Sequence, residues 1–290
     1  MPESFFSKER NIHLSKNAAP VLLAHKRGPA HSERFFLHLN HHIEIYIYIS
    51  GDTDYIVEDH YIPLEHGDIV VILPNEVHVP VIKAPGVYER FYMLIPLDAF
   101  SDFGFDPLTQ YCSVKGHKIA LPPEKKKEFL SLLYQISDLL DAEDTQGTRL
   151  LTAGLLLQVQ GVLSTFKSKQ NTPTEIEIPS EIPKHLRDIL KHIGLHAQEI
   201  HSVEAIAKHF YISPQYLSTL FKKYVGVNVN QYLRIKKIAL AKGFLENGSS
   251  VAEACYECGF SDSSHFIKNF KQYVGMTPKQ YKNRVLKKTL

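Results

Sequence analysis

The amino-acid sequence predicts a multidomain α and β protein: a β-rich amino-terminal part, a helical segment and an all-α carboxy-terminal domain. Two observations support this fold class. Short runs with period two recur between turn residues in the first third of the chain, as in a barrel or jelly roll. Beyond residue 184 the apolar residues follow helical spacing, and one pair of short helices occurs twice. A length of 290 residues suits two separate cores.

The clearest strand covers residues 43–49, where isoleucine alternates with Glu44, Tyr46 and Tyr48. It ends at the turn Ser50-Gly51-Asp52. Similar runs, separated by Gly, Pro, Asn and Asp, follow at residues 55–57, 61–63, 69–73, 79–82 and 88–95.

Two apolar stripes predict helices in the segment that follows. The first consists of Phe129, Leu132, Leu133, Ile136, Leu139 and Leu140, and the second of Leu150, Leu151, Leu155, Val159, Val162, Leu163 and Phe166. Both exceed what a thin covering of the strands requires, so we expect a homodimer interface here, with packing inside one chain as the simpler alternative. Proline-containing residues 169–183 are expected to form a linker.

The carboxy-terminal repeat is marked by the nearly identical stretches 221–226 and 270–275, which lie 49 residues apart. Ser213 and Asp262 are the expected N-caps of the helices that contain these stretches. A shorter helix precedes each of them. Two short helices around a tight turn are typical of a helix-turn-helix, whose second helix enters the major groove of DNA.

Charge favours DNA binding over a purely structural hairpin. Residues 184–290 contain 17 Lys and Arg against 7 Asp and Glu, whereas residues 1–170 contain 16 against 21. The formal net charge of +2 therefore conceals a basic end that suits phosphate contacts.

Residues 184–290 resemble the DNA-binding domain of the AraC/XylS family of transcription regulators. The resemblance rests on Leu217-x3-Phe221-Lys222, Gly226-x5-Tyr232-Leu233, Ala241 and Gly259-Phe260-Ser261-Asp262-x-Ser264-x-Phe266-x3-Phe270-Lys271-x3-Gly275-x2-Pro278-x2-Tyr281. Three positions depart from the family pattern. Lys237 and Lys268 stand where Arg is usual, and His265 stands where an aromatic residue is common.

The resemblance implies two recognition helices held about one DNA turn apart by a helix over residues 229–246, which is roughly 27 Å long at 1.5 Å per residue. It implies double-stranded DNA, a small-molecule effector and RNA polymerase as partners. A cytoplasmic location is expected, and no enzymatic activity is expected because the sequence offers neither a complete metal shell nor a nucleophile–base pair. The expected base contacts are Gln215, Ser218 and Thr219 in one groove and Ser264 and Lys268 in the next. The expected phosphate contacts are Lys222, Lys223 and Lys271.

The amino-terminal part resembles the cupin barrel through His38-x-Asn40-x3-Glu44-x6-Gly51, Gly67 and His78, with Asn40 in place of a second His. This implies a cupin-like β-barrel and makes His38, Asn40, Glu44, Tyr46 and His78 the candidate ligand-binding residues. A metal-free pocket is the favoured interpretation, and a divalent metal site is the alternative. His41 has the opposite strand parity and would replace a ligand only if the register slipped.

Strand parity gives this site independent support. In one continuous strand, the polar residues from His38 to Tyr48 share a face suited to a sugar or similar polar metabolite. The alternative is that this face meets solvent while the isoleucine face fills the barrel. Sequence alone leaves both open.

The predicted organisation is therefore a cupin-like sensor at residues 1–121, a helical segment at 122–168, a linker at 169–183 and the DNA-binding domain at 184–290. The predicted function is effector-responsive transcription regulation; a metal-dependent cupin enzyme or metal sensor with an attached DNA-binding module is the alternative. Cys255 and Cys258 are expected to pack in the core and not to form a redox or metal pair. No membrane span or signal peptide is expected.

Overall fold

The computed structural model describes residues 5–15, 17–30, 40–165 and 184–286. The amino-terminal strands are β1 (Phe6–Ile12), β2 (Val21–Pro29), β3 (Ile43–Ser50), β4 (Thr53–Val57), β5 (His60–Ile62), β6 (Ile69–Ile72), β7 (His78–Ile82), β8 (Val87–Ile95) and β9 (Lys118–Ile119). The helices are α1 (Pro107–Tyr111), α2 (Pro123–Leu140), α3 (Gln146–Thr165), α4 (Lys184–His196), α5 (Val203–His209), α6 (Pro214–Tyr224), α7 (Val229–Glu246), α8 (Val251–Glu257), α9 (Ser263–Val274) and α10 (Pro278–Leu286).

The strands form two antiparallel sheets. The larger sheet has the order β1-β2-β8-β3-β6-β9, and the smaller has the order β5-β4-β7. The described strands leave the two sheets unjoined at their edges, so this part of the chain is an antiparallel, sheet-rich fold of the barrel or jelly-roll kind that the sequence predicts, without closure of the barrel.

Strand β3 is buried on both faces, which answers the question left open by its alternating sequence. Ile45 and Ile47 belong to the core beneath the helical segment, while Tyr46 and Tyr48 pack toward the small sheet. The isoleucine face therefore lies outside the space between the sheets. Strand β3 begins at Ile43, so no single strand extends back to Asn40.

The helical segment covers the larger sheet. Phe129 and Leu133 of α2 and Val159 of α3 share one hydrophobic cluster with the isoleucines of β3. In α3, however, Leu150 and Leu151 are 67% and 60% exposed, so they do not belong to the buried stripe. Phe166 and the predicted linker lie outside the described residues.

The carboxy-terminal helices contain the predicted repeat, α5–α6 and α8–α9, on either side of α7. Ser213 Oγ accepts from the backbone N–H of Tyr216 at 3.1 Å, and Asp262 Oδ1 accepts from that of His265 at 2.5 Å. Both predicted caps are present, and α7 has the predicted bounds. Within the described ranges, none of the helices is long and apolar enough to cross a membrane.

Candidate DNA interface and sensor cavity

The two candidate recognition helices, α6 and α9, each bury one face and expose the other. Leu217 and Phe221 of α6 are fully buried, as are Phe266 and Phe270 of α9. All eight residues proposed to contact DNA are exposed: Gln215, Ser218, Thr219, Lys222, Lys223, Ser264, Lys268 and Lys271. Thr219 Oγ1 donates to the carbonyl of Gln215 at 3.0 Å, which leaves its oxygen as an acceptor on the open face.

The lysines proposed to contact phosphates lie in the last turns of their helices. Lys222 and Lys223 end α6, and Lys271 lies in the last turn of α9. Cations are stabilised at this end of a helix because the macrodipole is negative there. These lysines therefore form a positively charged surface beside the exposed polar face of each recognition helix.

The three departures from the family pattern have different environments. Lys237 is buried and its Nζ donates to the carbonyl of Gly259 at 2.8 Å, in the turn between α8 and α9. Lys268 and His265 are exposed on α9, where the imidazole of His265 meets the ring of Phe260 edge-on. Lys237 therefore stabilises the turn of the second helix pair through a buried hydrogen bond, whereas Lys268 is accessible to a ligand.

A cavity of about 250 Å³ lies between the two sheets of the amino-terminal part. It is lined by Leu22, Lys26, Asn40, Glu44, Tyr46, Tyr55, Pro80, Tyr88, Arg90, Tyr92 and Leu94. Of the predicted ligand-binding residues, Asn40, Glu44 and Tyr46 line the cavity. His78 is fully buried behind Glu44, and His38 lies outside the described residues.

The cavity has contributors that the sequence analysis missed. Lys26 comes from β2, and Tyr88, Arg90 and Tyr92 come from alternate positions of β8. Their period-two spacing was visible in the sequence, but pairing of β8 with β2 and β3 is what directs them into the cavity. Arg90 lies 4.5 Å from the centre of the Tyr88 ring, and Lys26 lies 3.3 Å from Glu9.

Glu44 is the polar centre of the cavity wall. His78 Nε2 lies 3.2 Å from Glu44 Oε2, and the amide of Asn40 donates to the same carboxylate. Burial disfavours a charged imidazole, but the charge and hydrogen bond of Glu44 outweigh it and raise the pKa of His78. The contact with Glu44 thus favours the charged form of the His78 imidazole.

This cluster does not fit a metal site. The Glu44 carboxylate already accepts hydrogen bonds from His78 and Asn40. The three candidate metal ligands are therefore hydrogen-bonded to one another. Among the residues with described placement, no three His, Cys, Asp or Glu side chains are grouped to hold a metal ion. His41 is turned away from the cavity, and its ring stacks on Tyr281 of α10 at 5.2 Å.

The tyrosines supply hydroxyl groups and aromatic faces. The hydroxyls of Tyr46 and Tyr88 lie 2.5 Å apart, and burial raises the pKa of Tyr46, Tyr55 and Tyr88. The phenols therefore stay protonated and can donate. Neutral donors, aromatic planes, one carboxylate and the cations Lys26 and Arg90 can together bind a small polar molecule with several hydroxyl groups.

Comparison with known proteins supports the regulator interpretation of the carboxy-terminal helices. A family model described as a helix-turn-helix domain matches residues 206–284. The regulatory protein PocR of Salmonella typhimurium is 31% identical over 120 residues, which cover 41% of this chain and 39% of PocR. The transcriptional activator RhaR of Yersinia pestis is 22% identical over 305 residues, covering 96% of this chain and 94% of RhaR.

Residues 206–284 are a helix-turn-helix domain. The relatives PocR and RhaR are named as a regulatory protein and a transcriptional activator. The matched stretches span less than half the length of two relatives, 39% of PocR and 48% of YijO from Escherichia coli.

Solved structures are similar to this chain with low TM-scores. The carboxy-terminal domain of the response regulator yesN from Fusobacterium nucleatum is 29% identical with a TM-score of 0.33, over 34% of this chain and 99% of that domain. ToxT from Vibrio cholerae is 11% identical with a TM-score of 0.35, over 90% of this chain and 97% of ToxT.

Proposed function

We propose that this chain is a sequence-specific regulator that contacts two successive major grooves with α6 and α9 and changes its affinity for DNA when a small polar molecule occupies the cavity. The observation that carries the proposal is the repeat itself: two capped helices with exposed polar and basic faces stand on either side of α7. Gln215, Ser218 and Thr219 would contact one groove, and Ser264 and Lys268 the next. Lys222, Lys223 and Lys271 would contact phosphates.

The proposed effector is a small polyhydroxylated metabolite such as a sugar. Glu44 and Asn40 offer hydrogen-bonding groups, and Tyr46 and Tyr55 present rings along the cavity. His78 would act through Glu44, since it lies behind the cavity wall. The proposal places the sensor in residues 1–121 and the DNA-binding domain in residues 184–290, joined through the helical segment 122–168 and the linker 169–183.

The proposed assembly is a homodimer formed through α3. Leu150 and Leu151 are exposed on this helix, and exposed neighbouring leucines mark a contact surface. Sedimentation over a range of concentrations checks this, with Leu151→Glu expected to shift the chain toward monomer. RNA polymerase is a further proposed partner once the regulator is bound to DNA, which implies a cytoplasmic site of action.

Selection of binding sites from a random duplex library tests the DNA proposal on the full chain. Gln215→Ala should relax base preference at one set of positions, and Lys268→Ala at another set about one helical turn away. Each lost base contact should lower discrimination by roughly 1–3 kcal/mol. Lys222→Ala, on the same helix as Gln215, is the matched control: it should weaken all sequences alike and reduce the salt slope by about one unit. The two-groove proposal is wrong if both alanine variants alter the same base pairs, or none.

A further inference from the structure

The small sheet separates the cavity from the carboxy-terminal helices by a single layer of strands. Its residues alternate in direction, as strand geometry requires. Tyr55 and Pro80 line the cavity, whereas the neighbouring Ile56, Val79 and Val81 share a hydrophobic cluster with residues of α4 and α7. A molecule that displaces these strands from the cavity side therefore changes the surface on which α4 and α7 pack.

A polar junction joins the same sheet to α7. Glu58, in the turn between β4 and β5, forms an ion pair with Lys236, and both side chains are largely buried. The hydroxyl of Tyr232 donates to the carbonyl of Glu58 at 3.1 Å. Glu58 has a φ of 55°, a conformation that non-glycine residues keep only where the surroundings hold them.

Short contacts connect this junction to the cavity. His78 is paired with Glu44 through Nε2, and its Nδ1 lies 2.9 Å from the carbonyl of Glu76. Both partners of the imidazole are acceptors, so a protonated His78 satisfies both. Val77, which lies between Glu76 and His78, donates its N–H to the carboxylate of Glu58 at 2.7 Å. Three consecutive residues, Glu76 and Val77 just before β7 and His78 at its first position, thus link the cavity wall to the turn that contacts α7.

We propose that the Glu58–Lys236 ion pair couples occupancy of the cavity to the position of α7. This rests on the proposed function only in taking the cavity as the effector site. An effector that hydrogen-bonds to Glu44 competes with His78 and loosens its hold on the segment 76–78. Glu58 then moves with Val77, and Lys236 and Tyr232 carry the change into α7.

The position of α7 matters because this helix lies between the two helix pairs. Tyr232 and Lys236 belong to its first half, while its later residues pack with α8, α9 and α10. A shift of the first half changes the placement of α6 relative to α9. The two open faces then match a DNA site better or worse.

A double-mutant cycle on the full chain tests the coupling without knowledge of the effector. Glu44→Gln removes the carboxylate charge that holds His78. We expect it to change affinity for a library-selected duplex about fivefold or more, as allosteric couplings commonly do. In the Lys236→Met background the same substitution should change affinity less than about twofold. The Glu58→Gln and Lys236→Met pair together gives a second background that leaves no buried charge unpaired.

Lys83→Met is the matched control background. Lys83 follows β7 and pairs with Asp54 at 3.1 Å, so this variant removes an ion pair of the same sheet that does not reach α7. The effect of Glu44→Gln should persist there. The coupling proposal fails if Glu44→Gln has equal effects in all backgrounds, or no effect in the wild-type chain.

Hydrogen exchange of the amides of residues 229–246 supplies a measurement that needs no DNA. Glu44→Gln should speed this exchange in the wild-type and Lys83→Met backgrounds and leave it unchanged where Lys236 is Met. A wild-type chain that selects no duplex would refute the proposed function, while the exchange data would still decide the coupling. Unchanged exchange in α7 would refute the coupling even if DNA binding were established.

Discussion

At the scale of single residues, Lys242 is a charged group in an apolar environment. Its side chain on α7 is fully buried, and its Nζ has no hydrogen-bond partner within the described part of the chain. The ring of Tyr281 lies 5.7 Å away and offers a weak cation–π contact. Burial lowers the pKa of Lys242 from its ordinary value of 10.5 to about 8. The folded state therefore holds this proton less tightly than the unfolded state does.

Lys242→Met should stabilise the protein at neutral pH by about 1–3 kcal/mol, because it removes a buried ammonium and keeps the apolar stem. Below the folded pKa both states are protonated, so the full burial penalty is present there. As pH rises from about 8 toward 10.5 the folded state loses the proton first, wild-type stability rises, and the gain from Met should shrink. Denaturant unfolding at several pH values measures this, with the exposed Lys222→Met as control. A gain independent of pH would show that packing alone is responsible.

The contact between Glu58 and Lys236 is one that the sequence could not predict, in contrast to the helix caps. The cap residues Ser213 and Asp262 act within their own helices, so local spacing sufficed to predict them. Glu58 gains its partner Lys236 from 178 positions further along the chain. No local pattern encodes such a contact. The hydrogen bond from Lys237 to the carbonyl of Gly259 could not be predicted for the same reason.

At the scale of elements, the turns of the two helix pairs differ in an instructive way. Tyr211 and Gly259 occupy equivalent positions, 48 residues apart, and both have positive φ. Tyr211 is 96% exposed, so its side chain meets nothing. A Cβ on Gly259 would overlap the backbone of Gln198 in the α4–α5 loop. The second turn therefore requires glycine for space as well as for conformation, because it packs against the loop that precedes the first helix pair.

Gly259→Ala should be more destabilising than a conformational penalty alone. The penalty for a left-handed alanine is about 1–2 kcal/mol, and the forced displacement of Gln198 should add roughly 1–3 kcal/mol. Gly226→Ala is the matched control, since Gly226 has a φ of 74° and open space around its Cβ position. Thermal unfolding of both variants compares the two terms. Equal losses would mean that the α4–α5 loop yields without resistance.

Element prediction succeeded where a pattern was long or strongly periodic. Helix α7 was predicted over its full length because its apolar residues repeat without interruption. Strand β1 was missed because Ser7 to Arg10 supply no apolar alternation, and β9 has only two residues. The exposure of Leu150 and Leu151 was not visible either, since a stripe does not reveal how much of it a neighbour covers.

At the scale of the whole molecule, the cavity should make stability depend on ligand. An effector that binds the folded chain raises its stability by about 2.7 kcal/mol at a hundred times its dissociation constant. We therefore expect some members of a panel of monosaccharides and sugar acids to raise the melting temperature. Glu44→Ala and His78→Ala should abolish that increase, and Lys222→Ala should retain it. A panel without effect, or variants that keep the full increase, would place the effector site elsewhere or change its chemistry.

The alternating strands of the small sheet have a consequence for protein engineering. Alternate positions of β4 and β7 face the cavity or the carboxy-terminal helices, so a designer can rebuild one set while the other stays intact. Substitutions at Tyr55 and Pro80 would retune which molecule is recognised, and those at Ile56 and Val79 would adjust how strongly recognition is transmitted. Under the proposed function, single substitutions on the cavity side would give new effector preferences while the contacts to α4 and α7 stay intact.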